Sequence, residues 1–136
     1  KFGFTIETVG VSNVNEIAQA LDALLPKVDA LYEPTDNLVA SAMPLIAEKS
    51  IANKKAVITG EKGMVEAGGL ATEGIDYYEL GKQTGEMAIK VLKGEKPNTL
   101  AIKTLEKTEL VINMKTLNAL GLTLPADLDK KATKVE

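Results

Sequence analysis

Three carboxylates stand directly after predicted strands: Asp36, Glu61 and Asp76. Side chains at the carboxyl ends of parallel strands meet at one edge of a sheet, and open α/β sheets bind ligands at that edge. Such carboxylates could perform acid–base or glycosidic chemistry, accept hydrogen bonds from a ligand, or cap the helix that follows. The spacing does not separate these roles. A hydrolase or lyase that uses Asp36 and Asp76 is therefore an alternative to a binding function.

The turn around Asp36 has the clearest local pattern. An apolar run from Val28 to Tyr32 predicts a strand, and the polar residues Pro34 to Asn37 predict a turn. Thr35 and Asp36 are helix-capping types, and a helical pattern opens at Leu38. We therefore expect a strand, a turn and a helix, with the turn at the ligand-binding edge of the sheet.

Composition excludes several chemistries. The chain has no histidine and no cysteine, which rules out Ser-His-Asp and Cys-His catalysis and an ordinary zinc or copper site. It has no arginine, so the bidentate group most used for phosphate is missing. The net charge of -3 gives no reason to expect nucleic acid. We expect no metal and no cofactor.

Length and hydropathy predict one compact globular domain. The 136 residues are 45% hydrophobic and 26% charged, which is ordinary for a soluble protein with a real core. No apolar stretch reaches the roughly 18–20 residues that span a bilayer. The absence of cysteine is compatible with an oxidising extracytoplasmic compartment.

Strands and helices alternate along the chain, which predicts an α/β fold with a parallel sheet. Strands are predicted at Phe2–Val11, Val28–Tyr32, Lys55–Thr59, Gly69–Ile75, Leu100–Thr104 and Leu110–Asn113. Helices are predicted from Val14 to Leu25 behind an Asn13–Glu16 capping box, from Leu38 to about Ser50 with a bend at Pro44, from Tyr77 to Leu92, and from Met114 to Leu120. The charged tail from Asp129 to Glu136 is expected to be frayed.

Several of these segments together resemble the substrate-binding proteins of ABC transporters. The motifs are VDALYEPTDN at Val28–Asn37, GIDYYELGKQT at Gly74–Thr84 and LKGEKP at Leu92–Pro97, followed by LVIN at Leu110–Asn113 and ALGLTLP at Ala119–Pro125. The resemblance is to the branch with a type I periplasmic-binding-protein fold, of tryptophan or aromatic-amino-acid type. It extends over nearly the whole chain.

The resemblance implies a domain organisation. Members of the family have two α/β lobes that close on a solute, and this chain is similar to the second. It implies a three-layer parallel-sheet lobe, lacking its first strand, over residues 1–76, and a crossover helix over 77–97 that would pack on the absent first lobe. Residues 98–128 would be returning segments and 129–136 the tail. We therefore expect a truncated fragment, and a homodimer or strand swap could cover the gap in its sheet.

The resemblance also implies a function, which is to bind a solute outside the cytoplasm for an ABC importer and not to catalyse a reaction. The expected solute is small and polar, an amino acid, with an aromatic one as the narrower expectation. The expected partner is a membrane permease, and the expected location is the periplasm or a membrane-anchored lipoprotein. The residues that would line the interlobe cleft are Thr35, Asp36, Asn37, Thr59, Glu61 and Asp76.

Overall fold

The computed structural model describes residues 3–105 and 108–136. Its five-stranded sheet has the order β1 (Ala30–Glu33), β2 (Ala56–Thr59), β3 (Ala71–Ile75), β4 (Thr108–Asn113) and β5 (Thr133–Val135). Strands β1, β2 and β3 are parallel, β4 is antiparallel to β3, and β5 is parallel to β4. The predicted α/β class is confirmed. The antiparallel strand arises because the chain re-enters the sheet at the edge where β3 left it, with Thr108 opposite Ile75.

Helices precede β1 and connect the later strands. They are α1 (Val14–Leu24), α2 (Asn37–Ser41), α3 (Met43–Ala52), α4 (Lys62–Glu66), α5 (Tyr77–Leu92), α6 (Met114–Leu120) and α7 (Ala126–Asp129). The prediction that Pro44 bends one long helix is wrong. Helix α2 ends at Ser41, and Pro44 lies in the first turn of α3. An N–H group has no partner within the helix at that position, so its absence removes no hydrogen bond.

Two apolar clusters hold the described chain together. The larger one joins α1, α3 and α4 to β1 and β2 through Ile17, Leu21, Leu25, Leu31, Ala42, Met43, Ile46, Ala47, Val57 and Met64. The smaller one packs α6 on the sheet through Leu70, Ile112 and Leu117. Helices pack on the sheet through both clusters, while Tyr32 on β1 and Ile58 on β2 remain 68% and 38% exposed.

The N-terminal segment is not a strand. Residues 3–11 belong to no sheet, and residues 5–11 form no backbone hydrogen bond with any other described residue. The predicted strand Phe2–Val11 is therefore wrong over these residues, and Phe2 lies outside the described ones. The predicted strand Leu100–Thr104 is wrong as well, with Ile102 96% exposed. An alternating pattern makes a strand only where a neighbouring strand supplies hydrogen bonds.

The chain end is ordered by pairing. Strand β5 lies beside β4, with Thr133 opposite Val111. The Thr133 hydroxyl donates a 2.6 Å hydrogen bond to the Glu109 carboxylate, and Lys134 forms a 2.7 Å ion pair with Asp129. The expectation of a frayed tail is therefore wrong for Thr133–Val135, because ladder bonds to β4 stabilise a sequence that has no signal of its own.

Helix α5 differs from the other long helices. None of its 16 residues is buried, and Tyr78 and Leu92 are among its exposed apolar side chains. The helix leads from β3 towards residues 100–105, which form no helix or strand, and its residues belong to neither core cluster. Among the described helices, none combines the length and apolar content needed to cross a membrane.

Candidate functional site

Asp36 ends the turn after β1 and caps α2. Its Oδ1 accepts hydrogen bonds from the backbone N–H groups of Leu38 at 2.9 Å and Val39 at 3.0 Å. The predicted capping role is confirmed. Asp36 Oδ2 forms no hydrogen bond or ion pair with another described residue, and the side chain is exposed. One carboxylate oxygen therefore fixes the turn while the other faces solvent at the edge of the sheet.

Asp76 and Glu61 repeat this arrangement after β3 and β2. Asp76 Oδ1 accepts from the N–H groups of Tyr78 at 2.8 Å and Glu79 at 3.2 Å, at the start of α5. Glu61 Oε2 accepts from the Gly63 N–H at 3.2 Å, at the start of α4. All three predicted carboxylates are thus N-caps, and each uses a single oxygen for that purpose.

Two glycines bring the three turns into contact. A Cβ on Gly60 would lie 2.6 Å from Thr35 Oγ1 and 2.7 Å from the Thr35 backbone nitrogen. A Cβ on Gly74 would lie 3.3 Å from the Gly60 carbonyl oxygen and 3.5 Å from the Cα of Glu61. The approach at Gly60 requires a residue without a side chain, whereas the neighbours of Gly74 lie at tight to ordinary van der Waals distance. The turn after β2 therefore contacts both the turn after β1 and the end of β3.

A shallow cavity of about 250 Å³ lies between α4, the start of α5 and β4. Its lining residues are Glu61, Lys62, Gly63, Glu66, Ile75, Asp76, Tyr77, Tyr78 and Glu109. Four carboxylates face one ammonium group there, and Lys62 Nζ lies 4.0 Å from Glu109 Oε2. The cavity favours groups that donate hydrogen bonds or carry positive charge.

The predicted site residues divide by position. Glu61 and Asp76 line the cavity, whereas Thr35, Asp36 and Asn37 lie exposed on the neighbouring turn. The sixth residue, Thr59, is 3% exposed, and its hydroxyl donates a 3.1 Å hydrogen bond to the Glu61 carbonyl. Thr59 therefore supports the loop from beneath.

Sequence reasoning missed Lys62, Glu66 and Glu109. The first two are four residues apart on α4, a spacing that places them on one face and could have been noticed. Glu109 is brought to the cavity by its pairing opposite Gly74 in the antiparallel ladder. No local sequence pattern predicts the pairing of Glu109 with Gly74. Among the described residues, no group of histidine, cysteine or acidic side chains has an arrangement that could hold a metal ion.

Comparison with known proteins shows the family of this chain. All 136 residues match the family model described as ABC transporter substrate binding protein. The chain is 42% identical over 122 residues to a tyrosine-binding protein of Clostridioides difficile (strain R20291), covering 90% of this chain and 35% of that one.

Solved structures agree with the family match. A ligand-free, open substrate binding protein with adhesive properties from Clostridium difficile has a TM-score of 0.80 and 41% identity over 99% of this chain. An ABC domain in complex with L-Trp from Streptococcus pneumonia has a TM-score of 0.88 and 39% identity over 98% of it. This chain covers 45% of each of those two chains. The chain belongs to the family of ABC transporter substrate binding proteins.

Proposed function

We propose that this chain forms one lobe of an extracytoplasmic solute-binding component of an ABC importer. The proposed solute is a small polar molecule, an amino acid, and more narrowly an aromatic one. The observation that carries the proposal is the contact of the turn after β2 with the turn after β1, at Gly60 and Thr35, and with the end of β3, at Gly74. Two relatives support the ligand class, since one is named for tyrosine and the other was solved with L-Trp.

The helix caps suggest which side chains would bind the ammonium group and which the carboxylate of an amino acid. Asp36 and Asp76 already occupy the first free N–H groups of α2 and α5, so those amides are not available to a ligand carboxylate. The second carboxylate oxygen of Asp76 is instead an acceptor for a ligand ammonium group. The hydroxyl of Thr35 and the amide of Asn37 would donate hydrogen bonds to the ligand carboxylate. Thr59 and Glu61 would hold the loop between them.

We further propose the domain arrangement in which residues 1–76 belong to the second of two lobes and residues 77–97 cross towards the first. The exposed apolar side chains of α5, with no buried residue, favour a partner surface of this kind. Contacts from both lobes to the solute would favour the closed state. The closed protein would then deliver the solute to a membrane permease. The proposed location is extracytoplasmic, either in the periplasm or as a membrane-anchored lipoprotein.

The proposed role is binding without catalysis. Asp36 and Asp76, which could have formed a catalytic pair, each cap a helix and follow different strands. The tyrosine-binding protein and the L-Trp complex are described by what they bind. We therefore do not propose the hydrolase or lyase alternative.

A thermal-shift panel on the full-length protein that carries this chain tests the ligand class. L-Tyr, L-Trp and L-Phe should raise Tm, since a ligand at 100 times its Kd stabilises by about 2.7 kcal/mol. L-Ala, L-Lys and a sugar serve as comparison ligands. If no amino acid raises Tm, the proposed ligand class is wrong.

The substitution Asp76→Asn tests the ammonium contact. Asparagine keeps an oxygen that accepts from the Tyr78 and Glu79 N–H groups, so the helix cap remains while the negative charge is lost. Ligand affinity measured by calorimetry should fall about tenfold or more, which corresponds to about 1.4 kcal/mol. Asp127→Asn, on the exposed helix α7, is the matched control. Equal affinities for the two variants would remove Asp76 from the site.

A further inference from the structure

Helix α4 carries much of the cavity lining but is too short to hold its own position. Its N-cap Glu61 lines the cavity, and so do Lys62 and Glu66 within the helix. The helix has five residues, and isolated helices shorter than about 12–15 residues are marginal in water. Contacts with the rest of the fold must therefore set the place of these three side chains.

Two buried side chains, from the end of β4 and the first turn of α6, bind the C-terminal end of α4. Asn113 Nδ2 donates a 2.9 Å hydrogen bond to the Val65 carbonyl. Thr116 Oγ1 donates one of 2.9 Å to the Gly68 carbonyl, just after the helix. The Thr116 N–H in turn donates to Asn113 Oδ1 at 2.9 Å, which joins the two residues. Both are buried, so these bonds are shielded from water.

A third buried side chain, that of Thr59, contacts the loops at both ends of α4. Before the helix, its hydroxyl donates a 3.1 Å hydrogen bond to the Glu61 carbonyl. After the helix, a Cβ on Gly69 would lie 2.6 Å from Thr59 Cγ2, so the backbone there packs directly on this side chain. Both loops are therefore fixed against the same residue of β2.

Strand β4 links these contacts to the opposite wall of the cavity. Glu109, near the start of the strand, lines the cavity, and its Oε2 lies 4.0 Å from Lys62 Nζ on α4. Asn113, at the end of the same strand, binds the other end of α4. Strand β4 therefore places one wall of the cavity and fixes the helix that forms the other. Loss of the bond at Thr116 would loosen α4 without displacing Glu109.

We propose that Asn113 and Thr116 are positioning residues of the solute site, because they fix α4 and with it the charged side chains that line the cavity. Neither residue is among those that line the cavity. They act on the solute through α4, together with Thr59. This inference rests on the proposed function, since it takes the cavity as part of the solute site.

Thr116→Val tests the proposal, because valine keeps the shape of threonine and removes the hydroxyl bond to the Gly68 carbonyl. In the full-length protein that carries this chain, hydrogen exchange should become faster at the α4 amides than at those of α1. The affinity for L-Trp and L-Tyr, measured by calorimetry, should fall by about threefold or more, as expected for the loss of one hydrogen bond. Thr116→Ser keeps the hydroxyl and should restore both the exchange and the affinity.

Thr84→Val is the matched control. The Thr84 hydroxyl also donates to a helix carbonyl, that of Leu80 at 2.8 Å, but it lies on the exposed helix α5. This variant should leave α4 exchange and ligand affinity unchanged. Ile17→Val removes a buried methyl group from α1 and controls for a loss of stability alone. It should lower Tm and leave the affinity unchanged.

Two results overturn the proposal. Equal α4 exchange in Thr116→Val and Thr84→Val would mean that the buried bonds do not position the helix. Faster α4 exchange with unchanged affinity would mean that α4 does not serve the solute site. If the unmodified protein binds neither L-Trp nor L-Tyr, the proposed ligand class is wrong instead, and the α4 exchange rates alone then decide whether Thr116 positions the helix.

Discussion

Gly60 approaches Thr35 so closely that a Cβ at position 60 would lie 2.6 Å from the Thr35 side-chain oxygen and 2.7 Å from its backbone nitrogen. The Gly60 N–H also donates to the Glu33 carbonyl at 2.9 Å. The first two strand-end turns of the candidate site are therefore held together by backbone contact. We therefore expect a substitution at Gly60 to disturb the site more than the substitution of an exposed side chain there.

Gly60→Ala should destabilise the protein by about 1–3 kcal/mol, because the added methyl group meets backbone as well as a flexible oxygen. Urea unfolding measures the effect. Gly81→Ala in α5 is the control, because a Cβ there meets nothing within 4 Å, and the change should stabilise that helix by about 0.5–1 kcal/mol. If both alanine variants are equally stable, the close contact at Gly60 does not exist in solution.

Asn113 links α4, β4 and α6 from a buried position. Its side-chain nitrogen donates to the Val65 carbonyl at 2.9 Å, and its oxygen accepts from the Thr116 N–H at 2.9 Å. Asn113→Ala should cost about 1–3 kcal/mol, since it removes the cap of α6 and the buried hydrogen bond to the Val65 carbonyl, which then keeps only its bond from the Gly68 N–H. The control Asn118→Ala, on the exposed side of α6, should change the free energy of unfolding by less than about 0.5 kcal/mol. A similar small change for both variants would contradict this role.

Local sequence signals predicted much of this structure because the interactions they encode are local. Asp36 was predicted as a cap, and it accepts from amides two and three residues ahead. Asn13 is confirmed as the N-cap of α1, with its Oδ1 accepting from the Asn15 N–H at 3.1 Å, but the reciprocal bonds of a capping box are not formed, since the Glu16 carboxylate accepts from the Ser12 N–H at 2.7 Å. Likewise the strand before Asp76 and the helix after it are where the pattern placed them.

The errors lie where pairing is distant in sequence. The alternating residues 4–11 pair with no strand of the described chain, whereas Thr133–Val135, in a segment expected to be frayed, are paired with β4. Glu109 lines the cavity because antiparallel pairing sets it opposite Gly74, 35 residues earlier in the chain. Such contacts depend on which segments the tertiary fold brings together, and a single sequence does not specify them.

Glu33 should give the protein a pH-dependent stability. Burial raises the pKa of Glu33 above its ordinary value of 4.5. Its neutral form is therefore favoured in the folded state, and this contribution is complete below about pH 4.5 and lost as the pH rises through the folded pKa. Glu33→Gln should accordingly raise Tm at pH 7 and lose that advantage towards pH 4.

Thermal unfolding of the two proteins between pH 4 and pH 7.5 measures this difference. Glu7→Gln is the control, since Glu7 is an exposed carboxylate in the extended N-terminal segment. It should leave the pH profile of Tm close to that of the unmodified protein. A Glu33→Gln variant with the same Tm difference at every pH would contradict the burial effect.

Loss of the Asp36 cap should lower global stability, whereas loss of the Asp76 cap should affect only local opening of α5. Asp36→Ala removes two hydrogen bonds at the start of α2, whose Leu38, Val39 and Ala40 pack on the larger core cluster. It should lower the free energy of global unfolding by about 1 kcal/mol.

Asp76→Ala removes the equivalent bonds from α5, which has no buried residue and so can open without exposing the core. We expect faster hydrogen exchange in the first turn of α5, by about fivefold for a loss of 1 kcal/mol, and a midpoint of global unfolding that does not change. Urea unfolding and native-state hydrogen exchange on both variants measure the two effects separately. If Asp76→Ala shifts the global midpoint as much as Asp36→Ala does, α5 packs on the rest of the chain more tightly than its exposed side chains indicate.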